Sequence, residues 1–577
     1  MKNVKNLFGM AVMATALLGC SSNDNLTPNA NDNAGKAGEA YASFKINLPT
    51  VSGTRADDPK PGTPKFDGGT AAEYEVKNGT IIIFDNSGNF VEKVELGTMN
   101  PWTADKDDNG VTTAAAVTVK LSGVALDGNY KALVLLNNNS ETTPKVTLPT
   151  KGDTYDDWSA KASNANATEY VKTDGIFMAN APKYQGTTTE PTTLVKIKKV
   201  YASREQAQAN SATVVYVERG LAKVTMKDFN SSGYTIADGN TYAGDKVEIK
   251  NWELDVTNKS TFPVHQLGSL STDYTGIWSN NHFFDETNTT FKRVYWGIDP
   301  NYSNNKLFEG TTTPAPAKTA LKYCQDNFNM IANAQVDGEA GDANPQYCLE
   351  NTFNLDNMKQ GQTTRVVFKA VYTPKTFTSV STFYKVANNT AIWKEDDLKQ
   401  QILTLALQAM EITDPIEQKK YGVDLSMGSN ISGVAGQHLI QEANITYSGT
   451  GASKVKPAIV NTVNEKLGLK EEGGKITTGI STYLNGEAYY IARIKHFNEL
   501  TPWTAGDAYG SKNDKYLGRY GVLRNNWYEL SVHSISNLGY PEVPEVKPET
   551  PDDENDKYIN VEVKILDWAK RSQSIDL

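Results

Sequence analysis

Short apolar segments that alternate with polar residues, and that stop at turn residues, constrain the fold of this chain most. Residues 41–51 place Phe44, Ile46 and Leu48 on one side of an extended chain, and this period of two predicts a strand with one buried face. Residues 76–96 predict two strands joined by an Asn-Ser-Gly turn, which is typical of a hairpin. The same pattern recurs along the chain, so we expect a mainly all-β fold with few helices.

Length and composition agree with this expectation. The chain has 577 residues, a net charge of −10 and 28 Tyr, so it is rich in strand-forming residues and long enough for two or more domains. We expect an N-terminal domain over residues 56–238 and a C-terminal domain over residues 239–540. The clearest predicted helix covers residues 396–412, after an acidic start. No cluster of basic residues indicates a nucleic-acid partner.

Motifs that carry catalysis are absent from the sequence. It contains no H-E-x-x-H, no G-x-S-x-G, no Walker loop and no G-x-G-x-x-G after a strand. The five histidines are scattered through separate segments, without the i, i+4 spacing of a helical metal site. The sequence therefore predicts a protein that is not an enzyme, with no catalytic residues and no cofactor.

The N-terminus has the pattern of an export signal. Lys2 and Lys5 precede an apolar run of thirteen residues, which is the length of a signal-peptide core and too short to span a bilayer as a helix. The run ends in the letters LLGC, which resemble a bacterial lipobox. Cys20 is therefore the predicted lipidation site at the end of a signal peptide over residues 1–20. The alternative is a simple secretory signal that happens to end in Cys.

One loop has part of a calcium-binding pattern. Asp105, Asp107 and Asn109 have the oxygen-donor spacing of the first half of a calcium loop, but Ala116 stands where a bidentate Glu would belong. These residues predict either a weak calcium site or an ordinary turn.

Two cysteines remain after Cys20. Cys324 and Cys348 could form a disulfide in an oxidising compartment. They could equally be two buried thiols, and the sequence does not decide between these alternatives.

The last predicted strand has an unusual connection. Residues 557–568 alternate aliphatic with polar residues and end in Trp568. They come after a Pro- and acid-rich segment, residues 541–556, whose composition predicts a flexible linker. A strand on such a tether is better suited to another molecule than to the preceding sheet. Its aliphatic residues are Ile559, Val561, Val563 and Ile565.

The first predicted strand is succeeded by a cleavable stretch. Arg55 and Ala56 lie among small, acidic and proline residues, and such a stretch is exposed to proteases. A cut between them would release the lipid together with residues 21–55, which comprise the spacer and the first strand, and would leave two unpaired strand edges. The C-terminal strand has the alternation needed to fill that gap. Repeated head to tail, this contact would produce a filament.

Together these features resemble the Bacteroidales type V fimbrilins, and among them the major, shaft subunit of the short or minor fimbria. The resemblance is carried by the lipobox, by Arg55 after a strand, by "YGVLRNNWYELSVHSISNLGYPEVP" at residues 520–544, by the Pro/acidic segment and by the final "VEVKILDW". It implies two transthyretin-like β-sandwich domains. It also implies an outer-membrane lipoprotein precursor palmitoylated at Cys20, an Arg-specific maturation protease, and polymerisation with residues 559–565 as the donor strand.

The resemblance also implies partners. These are identical subunits in a head-to-tail polymer, with anchor and tip accessory pilins, in a cell-surface fimbria that supports adhesion. Possession of the C-terminal strand favours a shaft subunit over an anchor. The competing interpretation is a surface-anchored lipoprotein that binds glycans or host ligands and never polymerises. In that case Arg55 stays uncut and the last strand folds back on its own domain.

Overall fold

The structure is a computed structural model that describes residues 39–48, 70–98, 103–105, 112–138, 145–165, 167–171, 175–184, 191–268, 296–302, 317–332, 335–341, 343–354, 357–425, 436–496, 517–552 and 559–567. Strands greatly outnumber helices in these ranges, so the predicted mainly all-β fold is confirmed. No helix in the same ranges is long and apolar enough to cross a membrane.

Most of the strands up to residue 219 belong to one sheet. They are β1 (Ala40–Asn47), β2 (Asn78–Asp85), β3 (Phe90–Thr98), β4 (Thr103–Asp105), β5 (Thr112–Leu121), β6 (Tyr130–Leu136), β7 (Ser163–Asn164), β8 (Met178–Asn180), β9 (Lys183–Tyr184), β10 (Pro191–Thr192), β11 (Val195–Lys196) and β12 (Thr213–Arg219). The sheet has the order β3-β2-β6-β8-β12-β1-β5-β4, with β11 beside β6. Short helices lie between the strands: α1 (Ala71–Tyr74), α2 (Tyr155–Ser159), α3 (Ala167–Tyr170) and α4 (Arg204–Ala209).

Strand β2 is buried on both faces. Ile81 and Ile83 belong to the same hydrophobic cluster as β1, whereas Ile82 and Phe84 pack with Trp158 in a second cluster. A strand that is covered on both sides has a continuous apolar sequence, which explains the run of three isoleucines and a phenylalanine. The domain is therefore layered, and its central strands contact two separate cores.

A second sheet system begins after residue 221. Its first elements are β13 (Ala222–Met226), β14 (Tyr234–Thr235), β15 (Lys246–Asp255), β16 (Thr257–Asn258), β17 (Ser260–Thr261), α5 (Ala317–Asn327), β18 (Phe328–Asn329), β19 (Gln346–Cys348) and β20 (Arg365–Thr373). After an insertion, the chain adds β29 (Glu487–Arg493), β30 (Asn526–Ile535) and β31 (Ile559–Asp567). The sheets β19-β13-β30-β31 and β14-β15-β20-β29 contribute to one core, which includes Val224, Leu530, Trp252 and Phe368.

The insertion has a core of its own. Its elements are β21 (Phe383–Val386), β22 (Ile392–Lys394), α6 (Glu395–Ala409), α7 (Pro415–Gln418), β23 (Tyr421–Val423), β24 (Gln437–His438), β25 (Ile445–Tyr447), α8 (Pro457–Lys466), β26 (Lys470–Glu472), β27 (Lys475–Thr478) and β28 (Ile480–Tyr483). The predicted helix 396–412 is present as α6. Leu398, Ile402 and Ala406 recur at the helical spacing and pack with Val386 and Ile480.

The change from the first sheet system to the second occurs at Gly220. A methyl group on this residue would lie 2.7 Å from Cδ1 of Phe177, so only glycine allows the close approach. Strand β13 then pairs in parallel with β30. The strand that opens the second system therefore lies before the predicted boundary at residues 238 and 239. The sequence reads as one long strand here because both halves are buried and apolar.

The Pro- and acid-rich segment is not a free linker, which corrects the prediction that the folded body ends near Tyr540. Residues 541–552, which we call the strap, lie against the second sheet system. Val546 is buried among Val256, Cys324 and Phe328, and the Gln360 N–H donates to the Thr550 carbonyl over 2.9 Å. The composition hid this docking because the strap's acidic residues Glu545 and Glu549 are exposed.

Helix α1 is fixed to the second sheet system by a buried ion pair. Lys223 Nζ lies 2.8 Å from Glu73 Oε1, and both side chains are 2% exposed. The Lys223 ammonium also lies 3.7 Å from the centroid of the Trp527 ring, and the Tyr347 hydroxyl donates to Glu73 Oε1. Burial and the Glu73 carboxylate raise the pKa of Tyr347. Helix α1, the first described element after β1, is therefore held by side chains from three strands of the second sheet system, β13, β19 and β30.

We expect Lys223→Ala to lower the free energy of unfolding by about 3–5 kcal/mol, because the substitution leaves the buried Glu73 carboxylate without its cation. Urea unfolding monitored by circular dichroism measures this loss. Lys322→Ala is the matched control, since Lys322 pairs with Asp326 and their side chains are 72% and 57% exposed; it should cost less than about 1 kcal/mol. Equal losses in both variants would contradict the assigned role of the buried pair.

Candidate functional site

Strand β1 lies in the interior of the first sheet, between two strands that are distant in sequence. It pairs antiparallel with β5, from Ala40 opposite Leu121 to Asn47 opposite Ala114. On its other side it pairs in parallel with β12, from Phe44 opposite Thr213 onward. A parallel neighbour cannot arrive by a tight turn, so β1 is inserted between strands that the chain supplies later.

One face of β1 contributes heavily to the core. Ala42, Phe44 and Ile46 are fully buried and Leu48 is nearly so, and all four belong to the cluster shared with β2, β6 and β12. Lys45, on the opposite face, is exposed. The predicted alternation of Phe44, Ile46 and Leu48 is therefore present as a one-sided buried strand.

The other face of β1 is held by α4. The Ser43 hydroxyl donates to the Ala207 carbonyl over 2.8 Å and lies 2.7 Å from the Thr118 hydroxyl. Tyr41 and Tyr201 exchange backbone hydrogen bonds of 2.7 and 2.8 Å. Departure of β1 would therefore open a gap with backbone donors and acceptors on two sides and apolar side chains beneath.

We expect Phe44→Ala to destabilise the uncut protein by about 3–5 kcal/mol, because the substitution removes a fully buried ring. Lys45→Ala should change the free energy of unfolding by less than about 0.5 kcal/mol. Chemical denaturation of both variants gives the comparison. A loss below about 1 kcal/mol for Phe44→Ala would show that β1 does not complete the core.

The C-terminal strand lies at a sheet edge of the same chain. Strand β31 pairs antiparallel with β30, with Val563 opposite Leu530 and Ile565 opposite Tyr528. Among the described pairs it has one strand neighbour, because it ends the order β19-β13-β30-β31. Ile559 and Val561 complete its aliphatic positions, opposite Ile535 and Val532.

The structure places the two terminal strands in different sheets, β1 in the first system and β31 in the second. They are close in length, eight residues in β1 and nine in β31. The difference between them is the number of neighbouring strands, since among the described strands β1 pairs on two sides and β31 on one. A single-sided edge strand is the easier of the two to detach.

Several predicted site residues lie outside the described residues. These are Cys20, Arg55, Ala56, Asp107, Asn109 and Trp568. Asp105 is the last residue of β4, where its backbone pairs with that of Thr112. Within the described ranges, no group of three or more His, Cys, Asp or Glu side chains could hold a metal ion.

The two cysteines are separate buried thiols in this structure. Cys324 packs with Val256 and Phe328 beneath the strap, whereas Cys348 lies in the core of the second sheet system. Burial raises the pKa of each thiol to about 12. Of the two alternatives left open by the sequence, the structure contains the pair of thiols, which are held in the unreactive protonated form.

We expect neither thiol of folded protein comprising residues 21–577 to react with a soluble disulfide reagent at pH 8, because both are buried and protonated. Both should react once the protein is unfolded in urea. The measurement is the absorbance of the released aromatic thiolate, with and without urea. Failure of the unfolded protein to react without prior reduction would indicate a disulfide instead.

The contacts made by Glu73 and Lys223 were not predicted from the sequence. The signal was present, because a lysine inside the buried run of residues 221–226 needs a partner. The sequence could not identify that partner, which lies far away along the chain. The docking of the strap was not predicted either. Its Val543 and Val546 are three residues apart, which is the repeat of a polyproline II helix.

A family model described as the C-terminal part of fimbrillin, the major fimbrial subunit protein type IV, matches residues 481–574. The matched region contains β29, β30, the strap and β31. This part of the chain is fimbrilin-like. Over these residues, the match confirms the predicted resemblance to fimbrilins.

Solved structures give a weaker likeness. A protein described as a candidate cell adhesion protein of Parabacteroides distasonis is 11% identical, with 92% of this chain and 98% of that chain covered, at a TM-score of 0.35. The tip fimbrial protein Mfa3 of Porphyromonas gingivalis, solved with a C-terminal truncation, is also 11% identical, with 92% and 100% covered, at a TM-score of 0.31. A comparison with curated protein sequences found no match.

Proposed function

We propose that this chain is a structural subunit of a cell-surface fimbria. It is exported as a lipoprotein anchored through Cys20, matured by cleavage after Arg55, and polymerised by transfer of β31 into the gap that β1 leaves in a neighbouring subunit. The observation that carries this proposal is the interior position of β1, which pairs on both sides and is joined to the rest of the chain through the stretch that contains Arg55.

The position of the cut fits this role. Cleavage after Arg55 separates β1 from α1 without interrupting any described strand or helix. Helix α1 remains attached through Glu73, Lys223 and Tyr347. The mature chain would therefore lose β1 alone, while the rest of the sheet stays in place. In the uncut chain β1 fills the gap, which prevents early polymerisation.

The energetics favour transfer for a geometric reason. Four aliphatic residues at ~1.5–3 kcal/mol each contribute about 6–12 kcal/mol on burial, which is similar to an association cost of about 4–15 kcal/mol. Apolar burial alone is therefore insufficient. Strand β31 pairs on one side in its own chain, whereas the gap between β5 and β12 offers two sides. The second ladder of hydrogen bonds shifts the balance toward the polymer.

The partners of this function are other copies of the chain, with anchor and tip pilins at the filament ends. Such a subunit needs no active site and no cofactor. The outer membrane holds the precursor through its lipid until an Arg-specific protease cuts after Arg55 and separates the mature chain from the lipidated Cys20.

A second function is a surface-anchored lipoprotein that binds glycans or host ligands and does not polymerise. The pairing of β31 with β30 in the same chain favours it, because this pairing would then be the final state. The two functions differ in whether the cleaved chain remains a monomer.

We expect protein comprising residues 21–577 to form filaments after treatment with an Arg-specific protease, with a new N-terminus at Ala56. The same treatment of a chain that lacks residues 553–577 should give only monomers, because this chain keeps its docked strap but has no strand to donate. N-terminal sequencing, size exclusion and negative-stain microscopy provide the readouts. Arg55→Ala is the control for cleavage and should remain uncut and monomeric.

A point substitution tests the strand itself. Val563→Asp places a carboxylate at an aliphatic position of β31 and should abolish filaments, because a buried unpaired charge is costly. Asn560→Asp adds the same carboxylate at a polar position and should leave filaments intact. Clean cleavage at Arg55 that yields only monomers, with β31 still protected from hydrogen exchange, would overturn the fimbrial proposal in favour of the surface-binding lipoprotein.

A further inference from the structure

The strap is held to the second sheet system at its two ends and its centre. Near its start, Arg365 Nη2 donates to the Pro544 carbonyl over 2.7 Å. The same guanidinium is fixed by Asp255, whose Oδ2 lies 2.7 Å from Nη2, and both side chains are almost fully buried. In the centre, Val546 is 5% exposed. The first half of the strap is therefore attached to a rigid, ion-paired point of the core.

The end of the strap is attached as firmly. The Thr363 hydroxyl donates to Asp552 Oδ2 over 3.1 Å, and the Asp552 side chain is buried. The Asp552 N–H donates to the Met358 carbonyl over 3.2 Å, and the Gln360 N–H donates to the Thr550 carbonyl over 2.9 Å. Asp552 is therefore fixed through both its side chain and its backbone N–H.

The composition of the strap suits permanent docking. Its prolines have no N–H group to leave unsatisfied and lose little conformational entropy when the segment is ordered. Tyr540, Val543 and Val546 recur every third residue and pack toward the body, whereas Lys547 and Glu549 are exposed. This arrangement is that of a fixed element with a charged outer face.

From this geometry we infer that the strap stays docked when β31 is transferred, so that Asp552 is the fixed point from which the donor strand leaves its subunit. This inference rests on the proposed polymerisation. Seven residue steps separate Asp552 from Ile559, and these span at most about 25 Å at ~3.6 Å per residue. A free segment from Tyr540 would reach more than twice as far. The acceptor subunit must therefore present its gap close to Asp552.

A short connection from a fixed point has a mechanical result. Successive subunits can vary little in distance or angle, because the connecting chain has few residues over which to bend. The strap therefore determines how closely subunits are spaced and makes the filament stiff. Asp552 acts as a positioning residue, since it holds the strand's origin and does not enter the acceptor gap itself.

The test compares hydrogen exchange in cleaved monomers and in filaments formed from the same protein. We expect the amides of Gln360 and Asp552 to be equally protected in both. At least tenfold faster exchange of these two amides in filaments would show that the strap peels away, and would overturn the inference while leaving strand exchange established. Failure of the cleaved protein to form any filaments would overturn the proposed function and, with it, this inference.

Variants supply an independent readout. Asp552→Ala should at least halve the persistence length of filaments in electron micrographs, because the strap's end is released. Glu549→Ala, which removes the same charge from the exposed face, should leave the persistence length unchanged. Should Asp552→Ala fail to fold, insertion of six Gly/Ser residues after Asp552 serves the same purpose, since it lengthens the connection without altering the docked strap. Filaments of unchanged stiffness in the insertion variant would contradict the inference.

Discussion

The gap between β5 and β12 is the constraint on which the first sheet system depends. Both strands present backbone donors and acceptors toward it, and the hydrophobic cluster of the domain lies beneath it. Any occupant must therefore pair on two sides and cover the core at once. Strand β1 meets these demands with one buried face and one face held by α4. The continuity of the whole sheet thus depends on eight residues near one end of the chain.

Strand β31, near the other end of the chain, is less constrained by its neighbours than β1. Strand β31 extends a sheet that already has a core without it, since β30 packs against β13 and the facing sheet. The strap before it is fixed, and the ion pair of Glu73 with Lys223 joins the two sheet systems. The molecule therefore combines a rigid body with two terminal strands that differ in how many neighbours hold them. In the proposed polymerisation, that difference would allow β31 of one copy to replace β1 of another without refolding of the body.

The sequence predicted the helices and strands better than it predicted which of them lie next to one another. The alternation of Phe44, Ile46 and Leu48 and the helical spacing within α6 are local patterns, and both are present in the structure. The position of β1 between β5 and β12 has no local signature, because it depends on residues far along the chain. The docking of the strap was missed because acidic and proline residues usually indicate a free linker. The separate core within residues 384–480 was missed because its short strands alternate with polar loops.

The parallel pairing of β1 with β12 also orders the events of folding. Strand β1 is synthesised before either of its partners, yet it can pair fully only when residues 213–216 are available. Pairings between such distant segments form slowly, since the loop between them must close first. An apolar strand with no partner is meanwhile prone to aggregation. The earliest of the described strands to be made is thus among the last to find its place, and the newly made chain must be kept from misassociating during that interval.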